Sequence, residues 1–247
     1  MTTQSRPPAR APVILLTRPA AQSARFARAL LAQFPDLSVV ISPLLVPRFL
    51  SPQVPDRNWT ALILASETAV EAAQRIAAEG TKLPARAFCV GNQTASAAGA
   101  AGFDPMSADG DTTALLTLIT EHSPRGPLLH LHGREVRGDL AEGLEKAGIM
   151  AVSLIAYAQD LHPLSAEAEA LLQSPGPVLA PVFSPRSADA LAQECRRINA
   201  RAPMTIIAIS PAAATAFGMG DTTSAAHPDA ASMIAAIASR LNAQTKP

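Results

Sequence analysis

Short apolar runs alternate with alanine-rich stretches of helical period along the whole chain, and this alternation leaves few folds open. Val13-Ile14-Leu15-Leu16 is a continuous apolar run that stops at the polar Thr17-Arg18-Pro19, as a strand covered on both faces does. Helical spacing follows from Ala20 to about Gln33. The same strand–helix unit recurs at 60–65 and 67–78, 86–90 and 93–101, 127–132 and 137–147, and 150–157 and 165–173. It recurs again at 177–183 and 186–197, and at 204–209 and 212–218. Further helices are predicted at 112–121, behind the N-cap region Asp109-Gly110-Asp111, and at 229–241. Residues 39–41 read as one more strand, whereas Pro43, Pro47, Pro52 and Pro55 predict a linker with at most short strands over 43–58. Strands separated by single helices require right-handed crossovers, hence parallel sheets and an α/β fold.

The chain also repeats itself. LILASETAVEAAQ (62–74) matches VFSPRSADALAQ (182–193), aligning Ser66 with Ser184, 118 residues on. CVGNQTASAAGAAG (89–102) matches AISPAAATAFGMG (208–220), with Gly91 on Ser210, 119 residues on. DGDTTALLTLI (109–119) matches HPDAASMIAAI (227–237), with Asp111 on Asp229, again at 118. LLTRPAAQSARFARAL (15–30) more loosely matches LHLHGREVRGDLAEGL (129–144), with Arg18 and Arg134 separated by 116. A repeat this long is no solenoid. It predicts two similar domains, each a parallel sheet flanked by helices, and two such halves usually make a cleft between them.

Composition narrows the function classes. The 247 residues hold 20 Lys+Arg against 20 Asp+Glu, a formal net charge of zero, with 48% hydrophobic and 16% charged residues. That apolar fraction excludes intrinsic disorder, and the charge balance argues against a nucleic-acid partner, which would select a basic surplus. Cys89 and Cys195 provide no disulfide framework and point to a reducing compartment. The opening MTTQSRPPARAP has no apolar secretory core, and no run of about 18 apolar residues predicts a membrane span. The expectation is a cytoplasmic globular protein, with no membrane partner and nothing that calls for more than a monomer.

Thr17, Ser66, Gly91, Gly133, Ser184 and Ser210 each stand where a strand becomes a helix. In open parallel sheets such turns gather at the carboxyl ends of the strands, where ligands bind. Each offers unpaired backbone N–H groups and the positive end of a helix dipole, an anion site of about 0.3–2 kcal/mol per contact. Any one of these residues is more simply a helix cap. The set, repeated in both halves, points to a polyanionic ligand. His130 and His132 share one strand face and could be two metal ligands, but no third ligand stands at suitable spacing and strand-end packing explains them better. Gly218-Met219-Gly220 follows a helix and is no dinucleotide fingerprint. Ser184 and His227 lack nucleophile-elbow spacing. Cys89 reads as inert core and Arg196-Arg197 as a solvated helix end. Tyr157 is the only tyrosine, at the end of a strand, where a phenol could exchange a proton with a ligand or simply fill a domain boundary.

Taken together, these residues resemble the uroporphyrinogen-III synthase family over nearly the whole chain. The matching pieces are Leu16-Thr17-Arg18-Pro19, Ser66 with Ala69-Val70, Cys89-Val90-Gly91 with Thr94-Ala95, Gly133-Arg134 with Asp139-Leu140, Val152 to Tyr157, and Ser184-Pro185-Arg186-Ser187-Ala188. The resemblance implies cyclisation of hydroxymethylbilane, a linear tetrapyrrole with eight carboxylates, to uroporphyrinogen III. The last pyrrole ring is inverted on closure, water is lost, and neither metal nor organic cofactor takes part. It also implies one discontinuous domain of residues 1–40 plus 158–247 and another of 43–155, joined by a two-stranded ladder of about 39–42 and 154–158, with the active site in the cleft. Tyr157 matches the family's cleft tyrosine and is the candidate catalytic residue. Thr17, Arg18, Ser66, Gly91, Thr94, Arg134, Ser184, Arg186 and Ser210 are the candidate substrate-binding residues. Two departures stand out: Ser210-Pro211-Ala212-Ala213-Ala214 lacks the Gly and Thr of the first copy, and Ala65 stands where members often have Thr. A non-catalytic two-domain module closing on a small anionic ligand is the competing reading, and a nucleotide-dependent α/β enzyme is a third.

Overall fold

The computed structural model describes residues 11–122, 125–135 and 140–244. In chain order the elements begin with β1 (Val13–Leu16), α1 (Ala20–Gln33), β2 (Val39–Ile41), β3 (Leu45–Phe49), β4 (Ala61–Leu64), α2 (Glu67–Ala78), β5 (Arg86–Cys89), α3 (Asn92–Ala100) and β6 (Asp104–Ser107). They continue with α4 (Thr112–His122), β7 (Leu128–Gly133), α5 (Leu140–Lys146), β8 (Ala151–Leu161), α6 (Ala166–Gln173), β9 (Val178–Val182), α7 (Pro185–Arg197), β10 (Met204–Ala208), α8 (Pro211–Phe217), β11 (Asp221–Ser224) and α9 (Ala230–Gln244). The chain divides into two compact units, one made of the described residues up to Val46 with those from Leu161 onward, the other of Pro47–Asp160.

The first unit holds a parallel sheet of order β11-β10-β9-β1-β2. Period-two alternation splits its apolar strands between two layers. Leu15, Ala180, Val182, Ile206 and Ala208 pack under α6, α7 and α8, while Ile14, Leu16, Leu179 and Ile207 pack against Phe26 and Leu30 of α1 and Met233 and Ile237 of α9. With helices on both faces the strands have no wet side, so they read as unbroken apolar runs.

The second unit repeats the plan, with sheet order β3-β8-β7-β4-β5-β6 and parallel pairing from β8 through β6. Leu62, Leu64, Leu129 and Leu131 face α2 and α3, and Ala61, Ile63, Phe88 and Leu128 face α4 and α5. Strand for strand, β6-β5-β4-β7-β8 matches β11-β10-β9-β1-β2, which is the arrangement behind the sequence repeat.

Two strands escape the sequence reading, and a third is one of the short strands it allowed without placing. Leu45–Phe49 forms a strand inside the expected linker, and Asp104–Ser107 and Asp221–Ser224 are the outer strands of the two sheets. All three lie at sheet edges, where one side of the ladder is unpaired and prolines or polar residues are tolerated, so neither apolar pattern nor β-propensity marks them. Val39–Ile41, expected as an arm of the connecting ladder, instead pairs in parallel with β1. The strands that run from one unit into the other are β3 and β8, neighbours in the second sheet, and β8 extends to Leu161. The start of the helix expected at 137–147 lies outside the described residues. Among the described residues no helix is long and apolar enough to cross a membrane.

Candidate active site

Parallel strands all end on one edge of their sheet, so each unit collects its candidates by construction. β1, β9 and β10 bring Thr17-Arg18, Ser184 and Ser210 to one edge of the first sheet, with Arg186 in the first turn of α7. In the second unit β4, β5 and β7 bring Ser66, Gly91 and Arg134 to the corresponding edge, with Thr94 in the first turn of α3 and Tyr157 on β8.

Tyr157 owes its position to an interruption of the β7–β8 ladder. The register pairs Leu131 with Leu154 and His132 with Ile155, then passes over Ala156 and pairs Gly133 with Tyr157. Regular alternation puts Ala151 on the α4–α5 side and Leu154 on the α2 side, and continued unbroken it would place Tyr157 with Ala151. The extra residue reverses this, as a bulge does, and both Ala156 and Tyr157 join the cluster under α2. There the Tyr157 hydroxyl lies 2.9 Å from Ser66 Oγ, and the Tyr157 carbonyl accepts from Arg134 N–H at 2.8 Å. The residue is 9% exposed. Burial, opposed by the Ser66 hydrogen bond, holds the phenol above its ordinary pKa, so it is a neutral hydrogen-bonding group at physiological pH. Gly133 makes room for the ring: a Cβ there would lie 2.7 Å from Tyr157 Cε2 and 2.9 Å from Cζ. That contact is the feature of the candidate site missed in the sequence, although a lone glycine ending an apolar strand is a signal of close approach.

The serines at the strand ends serve as caps. Ser66 Oγ accepts from Ala69 N–H, Ser184 Oγ from Ser187 N–H and Ser210 Oγ from Ala213 N–H. Pro185 and Pro211 remove a further donor at the starts of α7 and α8. The first turns of α1 and α3 differ. Pro19 and Gly91 are their N-caps with no side-chain hydrogen bond, and nothing lies within 4 Å of where a Gly91 Cβ would stand. Beside α1, Thr17 Oγ1 is buried without a hydrogen-bond partner, and Arg18 stacks its guanidinium 4.1 Å from the centre of the Phe183 ring while its Nε donates to Gln22 Oε1. Thr94 is buried, Arg134 is exposed and Arg186 is half-buried.

His130 and His132 lie on the β7 face away from Leu129 and Leu131, with ring centres 4.8 Å apart. His130 is 4% exposed and its Nδ1 contacts Ser153 Oγ at 3.1 Å. Burial, reinforced by the neighbouring His132, lowers its pKa to about 4. Among the described residues no three His, Cys, Asp or Glu side chains group as a metal site.

The family model for uroporphyrinogen-III synthase HemD matches residues 25–235. The chain belongs to the uroporphyrinogen-III synthase family. That family consists of cofactor-independent cyclising lyases of tetrapyrrole biosynthesis. Among solved structures, the uroporphyrinogen-III synthetase of Helicobacter pylori matches with a TM-score of 0.60 at 15% identity, covering 93% of this chain and 99% of that one. A mutant uroporphyrinogen III synthase from Thermus thermophilus matches at 0.49 and 15% identity, over 94% of this chain and 99% of that one. No curated protein matches the chain. The synthase match spans eight of the ten candidate residues and begins after Thr17 and Arg18.

Proposed function

We propose that the protein cyclises hydroxymethylbilane to uroporphyrinogen III, with inversion of the last pyrrole ring and loss of water, as a cytoplasmic monomer whose two compact units are the family's two domains. The family match over residues 25–235 carries the reading. Tyr157 is the group assigned to the reacting end. A phenol held neutral by burial is a poor full proton donor but a good hydrogen-bond donor to a departing hydroxyl, and Ser66 keeps it aimed. The open first turns of α1 and α3 offer backbone N–H groups to the substrate's carboxylates, with Thr17 and Arg18 just before α1, Thr94 inside α3, and Arg134 as a further cation at the end of β7. The substrate closes on its own to the wrong isomer once its hydroxyl has left, so the protein's work is mainly to hold a flexible chain in one ring-closing shape.

Supplying hydroxymethylbilane and separating the product isomers tests the activity. The type III ring is expected in excess, and formation of the type I ring alone at the uncatalysed rate would reduce the protein to a binding module. Tyr157→Phe is expected to lower kcat roughly tenfold, the value of one hydrogen bond strengthened in the transition state. Wild-type steady-state kinetics in that variant would remove Tyr157 from the mechanism.

A further inference from the structure

The bulge that turns Tyr157 toward α2 has a side chain holding it. Where the ladder skips Ala156, the Gly133 carbonyl is met by His132 Nδ1 at 2.7 Å. A carbonyl only accepts, so Nδ1 carries the proton and the imidazole is the donor. Gly133 also faces the phenol ring, and its missing Cβ leaves the ring its space. His132 is half-buried, and its position is further fixed by the His130 ring, 4.8 Å away.

We infer that His132 is a positioning residue for Tyr157: by donating to the Gly133 carbonyl it holds the bulge that fixes the side of the sheet on which the phenol stands. The inference rests on Tyr157 acting in the reaction, and its placement can be read without turnover. Tyr157 is the only tyrosine, so the ultraviolet absorbance titration of the folded protein reports that phenol alone.

The test compares His132→Phe, which keeps a ring but no donor, with His132→Asn, whose amide N–H stands where Nδ1 does. In His132→Phe, kcat is expected to fall roughly fivefold with KM changed less than about twofold, as loss of one neutral hydrogen bond implies. The phenol titration should move down toward its ordinary range as the ring loosens into water, and His132→Asn should restore both. Placed in a Tyr157→Phe background, His132→Phe should cost nothing further. An unmoved phenol titration in natively folded His132→Phe, or a full extra loss in the Tyr157→Phe background, overturns the inference. His132→Leu gives the same readouts if phenylalanine prevents folding. A Tyr157→Phe enzyme with wild-type turnover, alongside a phenol titration that still responds to His132, would overturn the role of Tyr157 while supporting its placement by His132.

Discussion

Gly133→Ala is expected to lower kcat roughly a hundredfold, more than removal of the Tyr157 hydroxyl, because it leaves the ring present and misplaced. Gly133 is absent from the positions of positive φ, so alanine meets no backbone strain there. The whole effect comes from one methyl group 2.7 and 2.9 Å from the Tyr157 ring. The ring is the end of a side chain, but it is 9% exposed, packed with Leu129, Leu131 and Ala156, and bonded to Ser66, so it moves only by giving up those contacts. Circular dichroism should stay native, while the phenol titrates closer to its ordinary range. Wild-type kinetics in Gly133→Ala would mean that Tyr157 can stand elsewhere without consequence.

The second large effect concerns acid. His130 has a folded pKa of about 4 against an ordinary 6.5, so the folded state refuses a proton that the unfolded chain accepts. Above pH 6.5 both states are neutral there and the group contributes no pH dependence. As pH falls the unfolded state gains the proton first, and stability drops by about 2 kcal/mol at pH 5 and about 3 kcal/mol near pH 4, below which the folded state protonates too. Glu194 and Asp229, held below their ordinary carboxylate values by Arg197 and by the Ser232 N–H respectively, lose their contributions only under about pH 4.5. Of these three groups, only His130 changes its contribution between about pH 6.5 and about pH 5. Urea unfolding of His130→Leu should show a much flatter loss of stability across that interval, and an unchanged slope would place the acid sensitivity in other groups.

What the sequence displays depends on how each residue is buried. β1, β4 and β9 are covered on both faces, and their apolar runs announce them, along with the helices between them and the repeat that spans both units. Asp104–Ser107 and Asp221–Ser224 are held by backbone pairing on one side, and the contacts of their side chains, Met106 on the α4–α5 core and Asp221 and Thr223 on Arg240, follow no alternating apolar pattern. The bulge is hidden for a different reason. Register is a relation between β7 and β8, and no local property of Ala156 says that it will be passed over. In one dimension each serine at a strand end fits a helix cap more simply than a ligand site, and only the repeated set favours the ligand. The fold shows the cap role, because the hydroxyls of Ser66, Ser184 and Ser210 accept from their own helices, but a hydroxyl that accepts can still donate to a ligand. Nor does the sequence show that Tyr157 meets Ser66, 91 positions away.

The place of β1 in its sheet has a consequence for biosynthesis. It is not an edge strand but is wedged between β9 and β2, and Val13 pairs with Val178. β1 therefore leaves the ribosome with no completed sheet to join until the entire stretch Pro47–Asp160, and β9 and β10 after it, have been translated. The inner unit can fold while the outer one waits, reversing the usual order in which N-terminal segments settle first. Until then Val13–Leu16 and the apolar face of α1 lack Leu179, Ile207 and the α9 side chains that complete their cover, and stay open to chaperones and to aggregation.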